Sequence, residues 1–261
     1  MSATLNLCNL PAWIIGSTEF NDTPEPLQIQ GLSTADRLLL AQLDEIPEQA
    51  ERARAFNDYM SVKFYLHQWA DQSTAVARRS IKNSYLRFLR GWGVDSNSTE
   101  GAVLKGWVES RFGLVPRYHR GSLDTADHDD CSRYAIDRMR GSAHTNNILS
   151  QLDLLYSYTQ YELARAHPHQ KHLRLYRGTY DASEHEVLES RGGRVQVVAL
   201  NNLCSFTSDR EKAWEFGTTV WQVDVPLCKV LFHGDLLPQS ILKGENEHLV
   251  IGGRYLVRGL L

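Results

Sequence analysis

The sequence changes character once, at Pro168. Before it, from about Thr34 to His167, apolar residues recur at three-and-four spacing; after it they gather in short runs rich in β-branched and aromatic residues. The first pattern predicts helices over Thr34–Ile46, Pro47–Trp69, Thr74–Trp92, Glu100–Phe112 and Asn147–His167. The last of these carries Leu149, Leu152, Leu155, Tyr156 and Leu163 toward one side. The second pattern predicts strands in LRLYRGTY, RVQVVAL, TTVWQVDV, KVLFH and EHLVIGGRYLV. One helix interrupts them, Asp209–Phe216, with Ser208 and Glu211 as a capping box and Gly217 as its stop. Helices followed by strands, instead of alternating with them, point to an α+β fold. The first 30 residues read as irregular, and HRGSLDTADHDDCSR, from His119 to Arg133, reads as a loop.

Bulk properties exclude several functions. At 261 residues the chain can bury a sizeable core. A net charge of −3 offers no basic field for nucleic acid. No run of about 18 apolar residues exists to span a membrane. The opening MSATLNLCNLPAWIIGSTEF lacks a charged n-region, which argues against a signal peptide. Cys8, Cys131, Cys204 and Cys228 are scattered with no CxxC, so a reducing cytoplasm fits and no metal is expected. HPHQKH (His167, His169, His172) and HDD (His128, Asp129, Asp130) are the remaining metal-ligand patterns, both in loop-like polar text. SYLRFLRGW reads as core, although Arg87 and Arg90 there could contact a partner.

Three features of the β-rich part carry chemistry. In LRLYRG, alternation puts Leu173, Leu175 and Arg177 on one face of a strand, followed by Gly178. An arginine ending an apolar face either closes the strand in a salt bridge or holds a phosphate or carboxylate, and the glycine lets backbone approach a ligand. In LCSFTS, Ser205 and Thr207 share a face at a strand end, where hydroxyls either make turns or orient a neighbouring carboxylate. In GENEHLVIGG, Glu245 and Glu247 share a face if the segment is a strand. Glycoside hydrolases place their carboxyl groups on opposite sides of the scissile bond. Two on the same side suit one carboxylate stabilising an oxocarbenium-like sugar and another positioning a guanidinium. The similar spacing at Glu184 and Glu186 lacks the glycine-flanked strand context and reads as helix or loop.

Taken in order, Arg177, Ser205 and the Glu245–Glu247 pair resemble the R-S-E signature of arginine-specific mono-ADP-ribosyltransferases. The usual Ser-x-Ser reads Ser205-Phe206-Thr207 here, which leaves the role of Thr207 less defined. The stretches NLPAWIIGSTEFN, FYLHQW, KNSYLRFLRGW, GAVLKGWVESRFGL and ILKGENEHLVIGG further resemble the dinitrogenase reductase ADP-ribosyltransferases, over nearly the whole chain.

That resemblance implies one ADP-ribosyltransferase domain over 1–261, helical over about 30–167 and β-rich over about 168–261, with a core of two packed sheets and an NAD cleft. It implies transfer of ADP-ribose from NAD to one arginine of dinitrogenase reductase, the nitrogenase iron protein. Nicotinamide would leave, nitrogen fixation would stop, and a PII-type signalling protein would take part. NAD would be a substrate, in keeping with the lack of a GxGxxG after a strand. Arg177 would clamp its phosphates and Gly178 would meet the nicotinamide amide. Ser205, with Thr207 nearby, would hold Glu247 against the ribose. Glu245 would orient the target guanidinium, and Leu242 and Lys243 would lie in the loop that reads the target. Trp214, Phe216 and Trp221 are the aromatic residues available to cover the nicotinamide. The competing expectations are an NAD glycohydrolase, and a non-catalytic module binding the iron protein or a PII protein.

Overall fold

The computed structural model describes residues 6–30, 32–66, 84–123, 128–143, 145, 147–180, 185–237 and 246–260. Its helices are α1 (Ala12–Ile15), α2 (Thr18–Asp22), α3 (Thr34–Leu43), α4 (Gln49–Lys63), α5 (Tyr85–Val94), α6 (Thr99–Phe112), α7 (His128–Ser142), α8 (Ile148–Ala166) and α9 (Arg210–Ala213). Its strands are β1 (His172–Thr179), β2 (Glu186–Ser190), β3 (Val195–Thr207), β4 (Thr219–Pro226), β5 (Val230–His233) and β6 (Glu247–Leu260). The helical part precedes an antiparallel sheet, as an α+β fold requires. The predicted segments Pro47–Trp69 and Thr74–Trp92 run partly through 67–83, outside the described residues.

Among the described residues, the six strands are joined in one hydrogen-bonded sheet of order β2-β3-β1-β4-β6-β5, with a further β3–β6 pairing, in place of two separate sheets. Pairing runs from β1 through β4 and β6 to β3, and returns to β1 at Tyr176 opposite Thr207. The sheet therefore curls on itself. One apolar cluster fills the curl: Leu175, Val198, Leu200, Phe206, Trp221, Val223, Val250, Tyr255 and Val257 among others. A second lies between the sheet and the helices, where Leu203, Leu231, Phe232, Leu249 and Ile251 meet Phe56, Phe88, Trp107, Leu155 and Tyr158.

β6 serves both clusters because its alternation slips. Leu249 and Ile251 face the helices, while Val250, Tyr255 and Val257 face the curl. The change of phase falls at Gly252-Gly253, opposite a register shift in β3 between Leu200 and Leu203. Gly253 has φ 118, which a side chain rarely tolerates, and a Cβ there would lie 2.8 Å from Gly16 Cα. The N-terminal segment docks on this irregularity: Arg254 N donates to Gly16 O (2.8 Å), and Asn21 Nδ2 donates to Arg254 O (2.8 Å).

α8 joins the two parts. Tyr156 Oη donates to Cys228 O, Thr159 Oγ1 to Leu231 O, and Gln160 Nε2 to Leu227 O and Val230 O, so one face of the helix pins the segment around β5. From its other turns, Gln151 Oε1 accepts from Tyr85 N at the start of α5, and Asp153 accepts from Trp107 and Arg111 of α6. Near its C-terminal end, Glu162 takes both arms of Arg52 from α4 at 2.7 Å in a buried ion pair.

Four local expectations need correction. α7 begins inside the stretch read as a loop: Asp129 and Asp130 suit the positive end of a helix, and Tyr134 and Asp137 are its buried contacts. Its sparse apolar content hid it. Glu186, read as helix or loop, opens β2, an edge strand exposed throughout that presents no apolar alternation. The cap of α9 is Asp209, not Ser208: Asp209 Oδ1 accepts from Glu211 N (3.0 Å) and Lys212 N (3.3 Å). Two short helices, α1 and α2, lie in the opening residues that read as irregular.

Arg52→Ala would strand a buried carboxylate and is expected to cost about 3–5 kcal/mol in urea unfolding, whereas Arg52→Met with Glu162→Leu should recover most of that loss.

Candidate functional site

β1 and β3 run side by side only at Tyr176 and Thr207, and beyond that pair they part. The gap is where the sequence features converge. Arg177 reaches across it, its Nη1 donating to the Ser205 carbonyl at 2.8 Å, a side chain standing in for a missing ladder bond. Arg177 Nε is buried and has no partner among the described residues.

Ser205 and Glu247 meet through the β3–β6 register. Thr207 is opposite Glu247 and Ser205 opposite Leu249, so Ser205 and Glu247 are diagonal neighbours on one face. Ser205 Oγ donates to Glu247 Oε1 at 2.5 Å. Glu247 is only 5% exposed. Its backbone is set from two sides, by the pairing with Thr207 and by Gly234 N donating to Glu247 O (3.0 Å). Thr207 Oγ1 accepts from Asp209 N (3.1 Å), a turn contact that leads into α9.

Two recesses adjoin here. One, of about 270 Å³, is lined by Trp92, Tyr176, Arg177, Gly178, Ser205, Thr207, Phe216 and Glu247, among others. It combines aromatic walls with one cation, Arg177, and two carboxylates, Glu247 and Asp95. The other, of about 810 Å³, shares Trp92, Ser96, Arg177 and Ser205 and extends past Lys105, Arg117, His185 and Asn201. Two further hollows, of about 940 Å³ at Trp13 and about 650 Å³ beside His172, contain neither Ser205 nor Glu247. The second recess is cationic, though Lys105 is fully engaged. Its Nζ donates to Asn97 Oδ1 and Tyr118 O, and burial pulls its pKa down to about 8. Arg117 is paired with Glu186.

The structure places the remaining predicted residues less simply. Gly178 lines the recess, but a Cβ there would lie 2.1 Å from Ala213 O, so its glycine first serves the approach of α9 to β1. Of the three aromatic residues, Phe216 is at the recess, whereas Trp221 is buried in the curl against the His185 ring. Glu245, Leu242 and Lys243 lie outside the described residues. β6 starts at Glu247, and Asn246 before it is left-handed (φ 47). Arg87, in the segment read as core with a partner contact as the alternative, is paired with Glu100 at 2.7 Å. Among the described residues, no group of three or more His, Cys, Asp or Glu side chains could hold a metal.

Sequence reasoning missed Trp92, whose Nε1 donates to Ser205 Oγ at 2.8 Å. Its one available signal was chemical: an indole N–H on an apolar helix face must find an acceptor.

A shielded carboxylate, steered by a hydroxyl and set near an arginine between aromatic walls, is suited to steadying a cationic sugar while an aromatic base departs. This is the class of NAD-consuming ADP-ribosyl transfer. The family model for dinitrogenase reductase ADP-ribosyltransferase matches residues 5–259, and the chain belongs to that family. It is 43% identical over 257 residues to a Rhodospirillum rubrum NAD(+)–dinitrogen-reductase ADP-D-ribosyltransferase, covering 97% of this chain and 93% of that protein. No solved structure gives a significant match.

Gly178→Ala is expected to lower stability by about 1–3 kcal/mol in thermal unfolding, since backbone must move to admit the methyl group. Burial first, and then Arg177, depress the pKa of His185 from 6.5 to about 3. The unfolded chain therefore binds the extra proton between those values, and stability should fall as pH drops below about 6.5. A His185→Gln variant should show a shallower decline in urea midpoint between pH 7 and pH 4; an unchanged slope would place His185 in water.

Proposed function

We propose that this chain transfers ADP-ribose from NAD to an arginine of dinitrogenase reductase, the substrate named for its relative, and so switches off nitrogen fixation. The observation that carries the reading is the Ser205–Glu247 hydrogen bond in a cleft shared with Arg177, within a chain of this family. A single ADP-ribosyltransferase domain over 1–261 would act as a cytoplasmic enzyme. A PII-type protein would be its signalling partner.

The glycosidic bond between nicotinamide and ribose C1′ breaks, and its electron pair leaves with nicotinamide. A guanidinium nitrogen of the target forms the new bond to C1′ and gives up a proton. Glu247 accepts from the ribose 2′-hydroxyl and faces the positive charge that develops on the ring. Preorganised electrostatic contacts of this kind are worth roughly 3–4 kcal/mol. Arg177 holds the phosphates; its unpartnered buried Nε supports a role toward an anion. Gly178 offers backbone to the nicotinamide amide, which Phe216 covers. Ser205 keeps Glu247 aimed, and Thr207 shapes the turn below it. Glu245 orients the incoming guanidinium, with Leu242 and Lys243 in the loop that contacts the target.

Purified protein, labelled NAD and dinitrogenase reductase should yield one mono-ADP-ribosylated arginine, mapped by mass spectrometry. Glu247→Gln should reduce turnover about a hundredfold or more with an unchanged melting temperature. Glu245→Gln should lose arginine transfer while keeping NAD hydrolysis. Free ADP-ribose without labelled protein, from the unaltered chain, would instead identify a glycohydrolase.

A further inference from the structure

We infer that Trp92, from the helical part, is a positioning residue for the reaction, acting on Glu247 through Ser205. The inference rests on the proposed role of the Ser205–Glu247 pair. Trp92 Nε1 lies 2.8 Å from Ser205 Oγ, and Ser205 Oγ lies 2.5 Å from Glu247 Oε1.

The direction of this relay is fixed by valence. An indole N–H can only donate, whereas a hydroxyl has one proton and two acceptor lone pairs. Ser205 Oγ therefore accepts from Trp92, and its single proton is directed to Glu247. An ionised carboxylate can only accept, so the three groups agree in just one order. Without Trp92, the hydroxyl could rotate and spend its proton elsewhere. Trp92 is 4% exposed, which leaves its N–H little access to water as an alternative partner. The ring is itself held. The Lys105 ammonium sits 5.9 Å from the ring centroid and is tethered to Asn97 Oδ1 (3.1 Å) and Tyr118 O (3.0 Å). Phe88 and Leu89, one turn back on α5, are fully buried and anchor the helix end that carries Trp92. A residue far from the β-rich signature thereby sets the hydroxyl rotor of one of its members.

The test is a double-mutant cycle on NAD turnover with dinitrogenase reductase present. Trp92→Phe should lower kcat about three- to tenfold, the range set by the net worth of one intramolecular hydrogen bond. KM for NAD should stay within about twofold, because the loss falls on the transition state. In a Ser205→Ala background the same change should have almost no further effect. If Trp92→Phe folds poorly, 3-benzothienylalanine at position 92 keeps the ring shape and removes only the donor. An equal loss in both backgrounds would make Trp92 a packing residue and overturn the inference. So would a wild-type rate with benzothienylalanine. If Ser205→Ala alone turns over at the wild-type rate, the reading of the Ser205–Glu247 pair falls, and the inference falls with it.

Discussion

The ladder between β3 and β6 is the contact on which the rest of the molecule depends. It joins residues about fifty positions apart and is continuous from Val195 opposite Arg258 to Thr207 opposite Glu247, apart from one register shift. Its two faces belong to different cores. Leu203, Leu249 and Ile251 meet the helices, while Cys204, Phe206 and Val250 fill the curl. Its last rungs bring Ser205 within reach of Glu247. A one-residue slip would turn each of these side chains to the other face. It would bury the carboxylate among apolar groups and break the hydrogen bond together. The register that makes the core therefore also makes the site.

The cleft exists because one pairing is incomplete. β1 follows β4 along its full length, yet meets β3 at a single pair. Backbone groups released by that parting need partners, and the Arg177 guanidinium supplies one for the Ser205 carbonyl. Close packing of α9 onto β1 at Gly178 keeps the wall of the gap thin. Strand geometry, the arginine and the glycine thus meet at one opening beside a carboxylate.

Much of this was legible in the residues. Three-and-four spacing located α3, α4, α6 and α8, and β-branched runs located β1, β3, β4, β5 and β6, because those elements bury a regular apolar face. β2 and α7 were hidden for the complementary reason: β2 is exposed throughout, and α7 has few apolar residues. The capping pattern at Ser208 was off by one: the Asp209 carboxylate takes the Glu211 amide that Ser208 would have capped, together with the next one, Lys212. Arg177, Gly178, Ser205, Thr207 and Glu247 were found as motifs and gather at one recess. Trp92 was not found, since its bond to Ser205 spans 113 residues and no local pattern encodes it. The expectation that Glu245 shares a face with Glu247 was conditional on a strand through both, and Glu245 lies outside the described residues, which resume at Asn246.

The seam between helices and sheet has a consequence for how such a protein can be divided. A chain cut at Pro168 would expose Leu203, Leu231, Phe232, Leu249 and Ile251 to water and would take the indole away from Ser205. The β-rich part carries every residue of the signature, but it is not a portable module. Shuffling it onto another recognition domain would remove part of its own interior, so in this architecture changes of target must be made within an intact chain.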